Sequence, residues 1–224
     1  MKKPFHSLIA PVLLATVLLF ACTKKDSSAP IITILGDNPY VLEIGGEYID
    51  PGVNATDNED GNITESIKTE TDLNTSLKGS YSVVYSVTDQ AGNRAEATRY
   101  VFVKNNIDYL AGNWEVKDDK LNPPNPPLHT EYSESITASD SVNKRFWVSS
   151  FGGYVNANVY IDRVTGSQCQ IPQQEIVCGD PPVSRRFLGT ATIIDSTHLV
   201  MNYTEIAGGQ NVTGSATYTK EEKK

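Results

Sequence analysis

The sequence predicts an all-β protein, and three observations carry that prediction. After residue 30 apolar residues recur with a period of two, as strands with one buried face require, and no stripe of 3.6-residue helical period interrupts them. The alternating runs are short and are separated by turn residues, drawn from a chain with 16 Gly and 12 Pro. Beyond residue 107 eight such runs follow one another across turns, the spacing of a meandering antiparallel barrel. The expected fold is therefore an N-terminal β-sandwich followed by a C-terminal antiparallel β-barrel.

The first 21 residues stand outside that pattern. Lys2 and Lys3 precede an apolar stretch from Leu8 to Ala21, and those 14 residues are fewer than the roughly 20 a bilayer-spanning helix needs. This is the layout of an export signal. The step Leu19-Phe20-Ala21-Cys22 resembles the bacterial lipobox, which implies cleavage before Cys22 and lipidation of that cysteine. Residues 22–29 then form a polar lipidated tether with nothing to bury. Its Lys24-Lys25-Asp26 is similar to the export signals of Bacteroidetes surface lipoproteins, which implies the cell surface rather than the periplasmic face of the outer membrane.

Charge excludes one class of partner. The chain carries 19 Lys+Arg against 27 Asp+Glu, and loss of the leader would remove two lysines, leaving 17 against 27 and a net charge of −10. Nucleic acid and anionic lipid headgroups are recognised by clustered Lys and Arg, and no such cluster occurs.

Residues 30–104 form the expected sandwich. Its clearest strand is Gly79 to Asp89, where Tyr81, Val83, Tyr85 and Val87 share one face and Ser80, Ser82, Ser86 and Thr88 the other. The turn at Gln90-Ala91-Gly92-Asn93 leads into a partner strand through Ala95, Ala97, Arg99, Val101 and Val103. Earlier strands are expected at Ile31–Leu35, Tyr40–Glu43, Tyr48-Ile49 and Ile67–Thr71. Three ordered motifs, Glu43 to Val53, Ala55 to Thr64 and Gly79 to Asn93, resemble the bacterial surface Ig-like domain, which implies a presentation module. Asp57, Glu59, Asp60 and Asn62 around Gly61 are weak calcium candidates, since hard oxygen donors on a tight loop suit that ion. Their spacing departs from an EF-hand, and an Asx-type turn bonding its own backbone is the competing reading.

Lys104-Asn105-Asn106 reads as a short polar link, and residues 107–224 as the barrel. Its strands are expected at Trp114–Lys117, Tyr132–Ala138, Arg145–Ser150, Tyr154–Arg163, Ile171–Val177, Phe187–Ile194, His198–Glu205 and Val212–Thr219. The run Leu121 to Leu128 holds four prolines and must be an exposed loop. Gly112-Asn113-Trp114 is similar to the opening of lipocalin-like barrels. With the Ig-like half and the Thr-Tyr-Thr-Lys ending, the whole resembles a Bacteroidetes lipoprotein family with a lipocalin-like C-terminal β-domain of unassigned function. Cys169 and Cys178, in an exported chain whose other cysteine is lipidated, are expected to form a disulfide.

Catalytic equipment is not legible. There is no Gly-x-Ser-x-Gly elbow, CxxC pair or phosphate-binding glycine loop, and beyond the leader the only histidines are His129 and His198. Neither an enzyme, a cofactor nor a metal centre is expected. Eleven of the 19 aromatic residues fall in the barrel half, and aromatic faces beside amides and carboxylates suit sugar rings. Trp147, Tyr154 and Tyr160 are the candidate ligand-binding residues. The expected function is a non-enzymatic envelope lipoprotein binding polysaccharide or oligosaccharide, in contact with outer-membrane lipid through Cys22 and with outer-membrane transport partners. Two alternatives stand beside it. A structural or adhesive spacer would bury both Trp114 and Trp147, and a barrel for an apolar ligand would keep an open apolar lumen.

Overall fold

The computed structural model describes residues 25–122 and 125–222; the leader, Cys22, Pro123 and Pro124 lie outside them. The described chain is all-β, with an open two-sheet sandwich and a closed eight-stranded antiparallel barrel. Among the described residues no helix is long and apolar enough to cross a membrane.

One sheet of the sandwich has the order β1 (Ile31–Ile34), β3 (Val53–Asp57), β4 (Gly61–Asn62). The other has the order β2 (Tyr40–Glu43), β7 (Arg94–Lys104), β6 (Gly79–Thr88), β5 (Lys68–Thr71). All pairs are antiparallel except β2 with β7. The alternation in β6 points Val83 and Tyr85 at a core completed by Leu42, Ile44, Val101 and Val103. Tyr48-Ile49, expected as a strand, is irregular, yet Tyr48 still packs on that core, its ring 5.1 Å from Tyr40 edge to face.

Arg99 occupies a core-facing position of β7 and is 0% exposed. Such a cation is tolerable only if its donors are satisfied. Its guanidinium donates to the carbonyls of Asp37 (2.6 Å), Leu35 (2.7 Å) and Gly52 (3.0 Å), and to the Tyr85 hydroxyl at 3.2 Å. That hydroxyl in turn donates to Asp50 at 2.6 Å. The loops closing one end of the sandwich therefore converge on one side chain.

The expected link is a structured joint rather than a tether. Asn105 is 1% exposed; its amide nitrogen donates to the carbonyls of Ser139 (2.8 Å), Val142 (3.0 Å) and Arg145 (3.2 Å), while its oxygen accepts from Lys144 N at 2.8 Å. From the sandwich, Glu43 accepts hydrogen bonds from the Asn106 and Asn143 amides, and Lys78 N donates to Asp140 O at 2.8 Å.

The barrel strands are β8 (Gly112–Leu121), β9 (Leu128–Ala138), β10 (Arg145–Val148), β11 (Val159–Thr165), β12 (Gln168–Cys178), β13 (Val183–Ile193), β14 (His198–Ala207) and β15 (Gln210–Lys220), closed by pairing of β15 with β8 and of β9 with β10. Both ends are filled. Near the sandwich, a 3-10 turn at Asp108–Leu110 buries Leu110, whose carbonyl accepts from Trp114 Nε1 at 2.9 Å. At the far end the β10–β11 connection folds inward, so that Phe151 is 0% exposed, its ring 4.7 Å from Tyr203 and 5.3 Å from Phe187. Gly152 allows this with φ of +66°, in a region open mainly to glycine. Tyr203 itself lies over Gly214, where a Cβ would come within 2.1 Å of the ring.

Two expectations for the barrel need correction. The strand expected from Tyr154 begins only at Val159, because the preceding residues form the inward loop. Cys169 and Cys178 are unbonded buried thiols. Both sit on β12, nine residues apart along one extended strand, hence about 30 Å apart at 3.3 Å per residue. A disulfide needs Cα atoms within about 7 Å.

Candidate functional site

Alternation along β10 turns Phe146 into the barrel and Trp147 outward, where it is 39% exposed. Trp147 stands directly opposite Tyr160 of β11, with ring centroids 5.4 Å apart and planes at 62°. Two positions along the same strands, Arg145 faces Asp162; its Nε and Nη2 donate to the two carboxylate oxygens at 2.7 and 2.8 Å. The Arg145 guanidinium also lies over the Tyr160 ring, 4.0 Å from its centroid. The result is an outward aromatic pair braced from one side by a fixed ion pair.

Tyr160 is held from the other side as well. Pro172 sits in a β-bulge between Ile171 and Gln174, where a residue lacking an N–H is tolerated. The bulge aims Gln174 at Tyr160, whose backbone N–H donates to Gln174 Oε1 at 3.0 Å and whose carbonyl accepts from Nε2 at 2.9 Å. A side-chain amide thus supplies hydrogen bonds that a neighbouring strand would otherwise make.

Tyr154, the third candidate, is not on this face. It enters the far end of the barrel, where its hydroxyl donates to Glu205 at 2.9 Å, and Lys120 and Arg185 lie 4.3 and 3.9 Å from its ring centroid. Around it is a buried polar group that sequence reasoning missed: Asp118 (0% exposed), Lys120, Glu134 and Glu205. Tyr203 donates to Asp118 at 2.6 Å, and Arg185 pairs with Glu205. Burial pushes the Glu134 carboxyl up to about 7, opposed by the Tyr218 hydroxyl and the Ser150 amide. Burial likewise raises Asp118 and lowers Lys120. These carboxylates are buried within the barrel, and among the described residues Asp118 Oδ1 and Glu134 Oε1 have no hydrogen-bond partner. The sequence signal for them was charged residues at inward positions of alternating strands, as at Asp118 and Lys120.

The calcium candidates form a turn. Asp57 Oδ1 accepts from the amides of Glu59 and Asp60 at 2.9 and 3.0 Å, Asn62 Oδ1 from Thr64 N at 3.0 Å, and Asp60 Oδ2 from Gln90 N at 2.7 Å. Folding instead gathers carboxylate oxygens of Asp26, Asp57 and Asp89 within 4.8 Å of one another. Only Asp57 of these was a sequence candidate, since the others lie distant in the chain.

Residues 32–103 match the family model of the bacterial surface protein Ig-like domain, in agreement with the resemblance read from residues 30–104. No curated protein matches the chain. Among solved structures, the chain is similar to a lipoprotein from Bacteroides thetaiotaomicron, at 18% identity and TM-score 0.36 over 86% of this chain and 100% of that one. It is also similar to CBM51-2 in complex with GlcNAc and INT domains from Clostridium perfringens ZmpB, at 20% identity and TM-score 0.29 over 85% of this chain and 47% of that one. A third likeness is to a redesigned β-barrel, at 12% identity and TM-score 0.31 over 52% of this chain and 95% of that one. All three are distant.

Proposed function

We propose that the chain is a non-enzymatic cell-envelope lipoprotein, anchored to the outer membrane through Cys22, whose sandwich carries a lipocalin-like barrel that binds glycan for a polysaccharide uptake system. The single observation supporting glycan binding is the outward Trp147–Tyr160 pair, Trp147 exposed and Tyr160 half-buried, fixed on β10 and β11 by Arg145, Asp162 and Gln174. Apolar faces of sugar rings pack against such aromatics, and rings already held in place lose little freedom on binding. A spacer without a ligand would have both tryptophans in the core. Trp114 is there, at 0% exposure, but Trp147 is not.

A glycan array with the purified chain, followed by calorimetry on the hits, tests this. Binding that falls about tenfold or more in Trp147→Ala and Tyr160→Ala, with unchanged melting temperature, is the expected result. An array without hits would end the glycan reading.

A further inference from the structure

We infer that the glycan taken by the Trp147–Tyr160 face is anionic, with a carboxylate or sulfate group held in a cationic pocket beside it; this rests on the glycan reading above. The pocket, about 160 Å³, lies where β10 and β11 end near the sandwich and is lined by Asn106, Lys144, Arg163, Val164, Thr165 and Gly166. Two of those six residues are cations and none is an acid. Arg163 is held in place: its Nε donates to Gly166 O, and its Nη1 to Asn106 Oδ1 at 2.7 Å.

Lys144 is placed there at a cost. Its φ is +64°, a left-handed conformation that disfavours any residue with a Cβ by about 1–2 kcal/mol. Two backbone bonds hold it so, Lys144 N to Asn105 Oδ1 at 2.8 Å and Arg163 N to Lys144 O at 2.8 Å. Glycine would satisfy this turn without strain, but the chain presents an exposed lysine, and among the described residues that lysine makes no ion pair.

The acids near the pocket already have partners. Glu43 accepts from Asn143 and Asn106, which with the nearby charges of Lys144 and Lys104 hold its carboxyl below the usual range. Asp162 is taken bidentately by Arg145. In a chain with net charge −8, an acidic polymer is repelled by most of the surface, so a local pair of cations is what could select it. Lys144 immediately precedes β10 and Thr165 ends β11, so the pocket lies at the sandwich-proximal ends of the two strands that carry Trp147 and Tyr160.

The test is calorimetric titration of the purified chain with polygalacturonate, dextran sulfate and neutral dextran. One or both acidic polymers are expected to bind at least fivefold more tightly than neutral dextran, and which of them does so separates carboxylate from sulfate recognition. Lys144→Gly, which suits the backbone at that position, is expected to weaken acidic binding about fivefold without lowering the melting temperature, and Arg163→Gln to weaken it by a similar factor. Raising salt is expected to weaken the wild type more than Lys144→Gly. Equal affinity for acidic and neutral polymers, or Lys144→Gly binding like the wild type, would overturn the inference while a Trp147-dependent neutral hit kept the glycan reading. Failure of every polymer and of the array would remove both.

Discussion

Gln174 closes both backbone polar groups of Tyr160, accepting from its N–H at 3.0 Å and donating to its carbonyl at 2.9 Å. The β11–β12 ladder ends at Asp162 opposite Gln170, and beyond it this side chain is the local continuation of the sheet. Gln174→Ala is expected to destabilise the barrel by about 1–3 kcal/mol and to speed exchange of the Tyr160 amide, because two hydrogen-bonding groups lose their partner together. Hydrogen exchange and urea unfolding check it; unchanged protection at Tyr160 would show that water substitutes.

Arg99→Met is expected to cost roughly 3–5 kcal/mol, since three loop carbonyls and the Tyr85 hydroxyl lose their donor while Asp50 loses its cation. Equilibrium denaturation measures this. A loss under about 1 kcal/mol would mean that the loops at Leu35, Asp37 and Gly52 close without it.

Glu134 makes stability fall as pH rises. Its carboxyl titrates near 7 in the fold against 4.5 for the free side chain, so between those values the folded chain holds a proton that the unfolded chain has released. That window is worth on the order of 3 kcal/mol, lost from pH 4.5 upward and fully gone above 7. Glu134→Gln is expected to flatten this part of the profile and to be more stable than the wild type at pH 8. Because Asp118 also titrates high, the wild-type minus variant difference between pH 5 and 8 is the relevant quantity.

Reductant is expected to leave the melting temperature unchanged, because Cys169 and Cys178 are separate thiols on one strand. Burial pushes the Cys169 thiol up to about 11, so thiol reagents are expected to label it only as the barrel unfolds. A drop of several degrees with dithiothreitol would contradict the strand assignment.

The all-β class, the β6–β7 hairpin and the eight barrel strands were legible because a strand buried on one face writes a period of two into its sequence. The same rule separated Phe146 from Trp147. It failed at Tyr154, where apolar and aromatic residues look alike whether they continue a strand or turn into the lumen. It also failed at Cys169 and Cys178, where a spacing that suits a disulfide loop is equally the length of one strand.

Local order along this chain was thus determined by the sequence alone, since alternation and turn chemistry act over a few residues. What only the tertiary structure decided was which distant groups meet: Trp147 with Tyr160, Gln174 with the Tyr160 backbone, Arg99 with three loops, and Lys144 with Arg163 beside the joint. The physical reason is that closing the barrel and ordering the joint at Asn105 fix strand register and turn geometry. Those in turn set which side chains share a face, and no spacing in the sequence encodes that.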